Sequence, residues 1–292
     1  MREKLVCGLI AGLMLVPQLF PQAAQVPTSV DSTLVLDAAG DEQRKSLGAI
    51  YLIVCPETGA GTGFLLESGV VVTNAHVVGS CDDQKLFGLT SENRQIKFHK
   101  VITDAHRDLA LLIPASAMKG GFKLATKDNP VPGTTVSTWG YPLLYNGASP
   151  LLSVGYISGY RVDDSSGSSV KHIVVNGAFN HGNSGGPLLV AHSNEVIGIV
   201  VLTYHFYPPG VKGIIDSMSK RNYGFMVAER RKPDGTTEKL SDSQLTSMVL
   251  EEFCEKTQVM IGEAISASEL VAALKEHAAE LPKADARKGA GR

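Results

Sequence analysis

Gly182-Asn183-Ser184-Gly185-Gly186-Pro187 sets one hydroxyl in a glycine-rich turn, immediately before the apolar run Leu188-Leu189-Val190. Glycine reaches φ > 0 and lets another backbone approach closely. Successive N–H groups in such a turn can converge on one point and form a nest for a developing oxyanion. A serine there becomes a nucleophile only when a base takes its proton. The motif therefore calls for a histidine elsewhere in the chain and a carboxylate to orient it. Val70-Val71-Val72-Thr73-Asn74-Ala75-His76 supplies the first, a β-branched run ending in a short polar turn. Asp108-Leu109-Ala110-Leu111-Leu112 supplies the second, a carboxylate at the mouth of an apolar strand. Asp104, with Arg107 nearby, reads as a solvated loop charge.

The segments that must carry these groups are short and β-like. Residues 49–55, 61–66, 70–74, 95–103 and 108–113 are rich in Val, Ile and Leu and are separated by Gly and polar turns. In 95–101 the apolar residues fall mostly two apart, the pattern of a half-buried strand. Asn129-Pro130-Val131-Pro132-Gly133 reads as a linker. A second set of β-type runs follows at 134–139, 151–162, 170–178, 187–192, 196–203 and 223–228. Closely spaced strands without long intervening helices indicate an all-β antiparallel sandwich or barrel in each half. His76 and Asp108 fall in the first set and Ser184 in the second, so the site is expected at the seam. Beyond residue 230 the pattern turns helical. Ser241 with Gln244, and Ser266 with Glu269, have capping-box spacing before amphipathic stretches expected to pack on the second barrel.

Taken in order, Thr73-Asn74-Ala75-His76, Asp108-Leu109-Ala110-Leu111-Leu112 and Gly182-Asn183-Ser184-Gly185-Gly186-Pro187 resemble the trypsin-like serine proteases, closest to the bacterial Deg-type branch, over about residues 48–228. The resemblance implies two antiparallel β-barrels of the trypsin-like type. It implies Ser184 as nucleophile, His76 as general base, Asp108 as its orienter, and the N–H groups of Gly182 and Ser184 as the oxyanion hole. It places Ala178, followed by Phe179, at the base of the first specificity pocket, which would make that pocket apolar and shallow. It places Val201, Leu202 and Thr203 on the segment whose backbone pairs with extended substrate. Asn183 carries no charge for the ammonium pairing that switches on the digestive relatives, so no such zymogen switch is implied. Too little chain follows the second barrel for the PDZ module that Deg-type enzymes often carry. The expected function is peptide-bond hydrolysis through an acyl-enzyme on protein or peptide substrates. A catalytically silent binding or scaffold protein on the same fold, and acyl transfer on non-peptide substrates, are the rivals.

The chain has 292 residues, 43% hydrophobic, with a net charge of −2, which provides no electrostatic case for nucleic acid. Arg2 and Lys4 precede the apolar stretch 5–20, and Ala23 and Ala24 follow. Residues 1–24 read as a signal peptide of an exported protein, periplasmic or secreted, with no stable membrane span after its removal. The expected organisation continues with a lead-in over 25–47, the first barrel over 48–128, the second over 129–230, a helical extension over 231–281 and a disordered tail over 282–292. An insertion at 205–222 lies beside the expected substrate edge. Of the cysteines outside the leader, Cys55 ends one expected strand and Cys81 follows the His76 turn, so a disulfide between them is expected, leaving Cys254 as a single thiol. The cysteines lack paired metal spacing and the remaining histidines are scattered, so neither metal nor cofactor is expected. The sequence does not set the oligomeric state.

Overall fold

The computed structural model describes residues 41–282 except 57–58, 80, 127–128, 143–144, 146, 148, 165–168, 178, 192, 194, 206–209, 222, 232–235 and 257. The leader, most of the lead-in, the tail beyond Pro282 and Ala178 lie outside the described residues.

After a short helix α1 (Asp41–Leu47) come β1 (Ile50–Cys55), β2 (Gly59–Leu65) and β3 (Val71–Thr73), then the one-turn helix α2 (Ala75–Val78). Strands β4 (Phe87–Leu89), β5 (Gln95–Asp104) and β6 (Leu109–Pro114) follow. They close an antiparallel barrel in the order β1-β2-β3-β6-β5-β4. Every residue of β1 and β6 is buried. Strands covered on both faces lose the polar-out alternation, and these two accordingly read as unbroken apolar runs. Phe64 and Phe122 meet edge to face inside, centroids 5.9 Å apart.

The second barrel uses β8 (Thr135–Gly140), β9 (Leu151–Asp163), β10 (Val170–Gly177), β11 (Pro187–Val190) and β12 (Glu195–His205); the two-residue β7 (Lys123–Leu124) lies parallel beside β12. Between β12 and the last barrel strand runs a separate compact unit, residues 207–254. It contains helix α3 (Val211–Ser219), the hairpin β13 (Met226–Arg231) and β14 (Thr237–Ser241), and most of helix α4 (Asp242–Lys256). Among its described residues, the buried apolar ones are Ile215 and Leu240. The Ser241 hydroxyl accepts the Gln244 N–H at 3.2 Å and Gln244 Oε1 accepts the Ser241 N–H at 2.9 Å, a reciprocal cap on α4. Val249 and Phe253, on the face expected to pack, are 57% and 70% exposed.

The chain returns as β15 (Gln258–Ser266), inserted between β10 and β12, and continues into α5 (Ala267–Glu276). Pairing of β11 with both β8 and β12 closes six strands, β11-β8-β9-β10-β15-β12. Two expectations are corrected here. The sixth barrel strand is β15, not 223–228, which contributes instead to the hairpin of the separate unit. The stretch expected as wholly helical contains β14 and β15. Helix α5 does pack on the second barrel, against β10, β12 and β15, burying Leu270 and Ala273 with Ile265 and Val170.

Cys55 and Cys81 form a disulfide with Cα atoms 5.9 Å apart. It ties the segment leaving α2 to the end of β1. Closing a loop of 26 residues should contribute about 3 kcal/mol by restricting the unfolded chain. The Cys55→Ala/Cys81→Ala double variant is expected to melt roughly 6–12 °C lower, measurable by thermal denaturation followed by circular dichroism.

Candidate active site

The site is built from three turns that meet where the barrels face one another. The first carries His76 on α2. Thr73 Oγ1 donates to Thr62 O at 2.6 Å, anchoring the end of β3. Asn74 Nδ2 and the Ala75 N–H both donate to Asp108 O, at 2.9 and 3.1 Å. The His76 backbone N–H donates to Asp108 Oδ1 at 2.9 Å, and His76 Nδ1 lies 2.7 Å from Asp108 Oδ2. Both carboxylate oxygens are therefore engaged by one residue. With a carboxylate as acceptor, the ring proton belongs on Nδ1, which leaves Nε2 with a lone pair.

The second turn carries Asp108, whose φ of 53° places it in the left-handed region. A non-glycine residue there costs on the order of 1–2 kcal/mol, least for Asp and Asn. The Asp108 side chain is 31% exposed, so hydrogen bonds rather than burial align it. Asp104 is not the solvated charge its sequence context suggests. Its side chain and that of Arg107 are only 12% and 17% exposed, and Arg107 Nη1 donates to Asp104 Oδ2 at 2.6 Å. Burial pushes the Asp104 carboxyl up, but the hydrogen bonds from Arg107 outweigh it and hold the group below its ordinary range.

The third turn carries Ser184. The Asn183 N–H donates to Asn180 O and the Gly186 N–H to Asn183 O, while the Gly185 N–H reaches Val200 O on β12. Gly185 has φ +86°, and a Cβ there would stand 2.1 Å from Thr62 O and 2.2 Å from Thr73 Oγ1, so only glycine fits. Among the described residues, the N–H groups of Gly182 and Ser184 donate to nothing.

Thr62 of β2 joins the turns, and the sequence offered no signal for it. This fully buried residue donates its N–H to Ser184 O at 2.8 Å and its hydroxyl to Gly182 O at 2.6 Å. Its Oγ1 also accepts the Tyr141 N–H at 3.0 Å. A single first-barrel threonine thus fixes the second-barrel turn on both sides of Asn183.

The Ser184 hydroxyl does not bond to His76 here. Oγ donates to Val201 O at 3.2 Å. Val201 is the extra residue of a bulge in β12, where Val200 pairs with Ala264 and Leu202 with Glu263. Bulges re-aim backbone groups next to functional sites, and this one presents its carbonyl to the serine.

His76, Asp108, Ser184 and Val201 border one cleft of about 560 Å³. Its far wall carries Arg161, His172 and Glu263, which sequence inspection did not connect with the site. Glu263 is fully buried and receives Arg161 Nε and Nη2, both at 2.7 Å. His172 Nδ1 lies 3.0 Å from Glu263 Oε2 but off the hydrogen-bonding line. Ala178, the expected base of the first specificity pocket, lies outside the described residues. Phe179 does not line the cleft; it is 1% exposed within the second-barrel core. Leu202 and Thr203 stand on β12 opposite Glu263 and Gly262. Among the described residues no group of three or more His, Cys, Asp or Glu is arranged to hold a metal ion.

Residues 61–199 match the family model described as the trypsin-like peptidase domain. The chain is 34% identical over 149 residues to a Synechocystis sp. protein bearing the serine-protease name HhoB, covering 49% of this chain and 34% of that one. It is 31% identical over 140 residues to a DegP-like protein of Pseudomonas fulva named as a periplasmic serine endoprotease, covering 48% and 28%. The chain thus spans about a third of the length of these curated relatives. Among solved structures, Rv3671c protease of M. tuberculosis in its active form superposes with a TM-score of 0.54 at 18% identity, over 94% of this chain and 97% of that one. A mutant of the same protein in its inactive form gives 0.56 at 17% identity, over 87% and 97%. At this identity the two structures establish a shared fold.

Proposed function

Because residues 61–199 match the model of the trypsin-like peptidase domain, we propose that the protein is a serine endopeptidase that hydrolyses peptide bonds through an acyl-enzyme on Ser184. The observation that carries this reading is the double engagement of Asp108 by His76, at 2.9 Å to the backbone and 2.7 Å to the ring. It presents Nε2 as the proton acceptor in the cleft that Ser184 borders. In the reaction the Ser184 hydroxyl leaves Val201 O, transfers its proton to Nε2 and attacks the substrate carbonyl. The N–H groups of Gly182 and Ser184, without acceptors in the described structure, receive the oxyanion. Protonated His76 is stabilised by Asp108 and returns the proton to the departing amine. Water then repeats the sequence to release the acyl group.

Peptide substrate would add as a strand along Val201–Thr203. The pairing of β11 with β12 ends at Ile199, which leaves the following edge without a strand partner among the described residues and supports main-chain recognition there. Export of the protein is supported by the disulfide, which persists in oxidising compartments, and by the periplasmic naming of the P. fulva relative.

The bond from Ser184 to Val201 favours one rival, a silent scaffold with its serine turned away. A fluorophosphonate probe separates the two. Adduct at Ser184 in the wild-type protein, lost in His76→Ala, is the expected result. Folded protein that takes no label points to the scaffold.

A further inference from the structure

Ser266 and Glu269 have the spacing of a reciprocal cap on α5, yet no side-chain cap forms there. Glu269 turns outward instead. Its Oε1 accepts the Lys171 N–H of β10 at 3.2 Å, and its Oε2 lies 3.4 Å from Arg107 Nε. Glu276, on the last turn of α5, grips the same guanidinium with both oxygens, at 2.9 Å to Nη1 and 2.7 Å to Nη2. Asp104 completes the set, taking Nη1 through Oδ2 and the Arg107 backbone N–H through Oδ1 at 3.0 Å. One largely buried arginine therefore holds three carboxylates, two of them on a helix more than 150 residues later in the chain. A bidentate fork of this kind fixes orientation as well as position. Just past α5, Glu280 accepts from Lys100 of β5 at 2.7 Å. Helix α5 packs by its apolar face on the second barrel and is pinned by its charged face to the first.

Arg107 immediately precedes Asp108, the residue held in the left-handed region. That backbone conformation costs any residue with a side chain, Asp and Asn least, and is kept where the surroundings over-determine it. On its far side the chain enters β6, where Leu109 pairs with Asp104. On its near side the chain is gripped by the clamp from α5, while the turn of residues 74–76 bonds Asp108 itself. We propose that Arg107 is a positioning residue, through which helix α5 holds Asp108 in the orientation that bonds His76. This rests on the reading of Asp108 and His76 as a working pair, and it makes the C-terminal helix a part of the active site's support that it never touches.

The test compares Arg107→Gln, Arg107→Lys and Glu276→Gln with the wild type. Two readouts are taken: kcat and KM on a peptide ester between about pH 5 and 9, and the low-field NMR signal of the His76 Nδ1 proton in histidine-labelled protein. Glu276 is half-exposed, so its variant keeps the test valid if Arg107→Gln misfolds. Expected is a fall in kcat of about 10–10²-fold for Arg107→Gln and less for the other two, with KM nearly unchanged. The low-field signal of the proton between His76 Nδ1 and Asp108 Oδ2 should weaken or move upfield, because that hydrogen bond lengthens when Asp108 turns away. A purely electrostatic role leaves the hydrogen bond, and its signal, in place. An unchanged signal, or kcat within about twofold of wild type in both Arg107→Gln and Glu276→Gln, overturns the proposal. The NMR readout needs no turnover, so it judges the clamp even if fluorophosphonate labelling rejects the peptidase reading.

Discussion

Ser184→Ala should lower peptide hydrolysis by about 10⁶-fold and leave the protein folded. The hydroxyl makes one hydrogen bond, to Val201 O, and the turn is held by backbone and Thr62 contacts that alanine preserves. A melting temperature close to wild type, together with loss of turnover and of fluorophosphonate labelling, is the expected pairing. Residual activity above about 1% of wild type would remove Ser184 from the nucleophile's role, because no other part of the relay can replace an absent oxygen.

Asp108→Asn is expected to cost about 10⁴-fold in kcat, and the geometry says why in this protein. The His76 backbone N–H already requires an acceptor at Oδ1. An asparagine must therefore keep its oxygen there and turn its NH₂ toward Nδ1. Nδ1 then accepts, the ring proton moves to Nε2, and Nε2 can no longer take the proton from serine. The shape survives while the tautomer is wrong. Rates measured against pH should show the deficit throughout the neutral range, with KM little changed. If the asparagine variant kept more than about a tenth of wild-type kcat, the carboxylate would not be the histidine's orienter.

Much of this arrangement is legible in the sequence because its determinants are local. The alternation in β5, the unbroken runs of β1 and β6, and the three polar turns each lie within a few residues, where periodicity and turn chemistry act. What escaped depends on distant partners. Thr62 looks like one more polar residue in a glycine-rich strand, and its bond to Gly182 spans 120 residues. Strand β15 lies in the stretch whose capping-box spacings point to helix, and Glu263 interrupts its apolar pattern. That carboxylate is held in a central strand by Arg161, 102 residues away. Phe179 follows the residue that the resemblance sets at the pocket base, yet a bulky ring beside Gly262 finds space in the barrel core and fills it. Glu269 has the spacing of a helix cap, but a buried guanidinium offers it a stronger partner than its own backbone.

Strand β15 is made late, after the whole of residues 207–254, although it lies between β10 and β12. As the chain is made, the first barrel can close early, but the second keeps an open seam until β15 follows residues 207–254. The serine turn leans on β12 through Val200 and Val201, and β12 lacks its neighbour until then. Assembly of the serine turn's support therefore waits on β15, however early the turn itself is made.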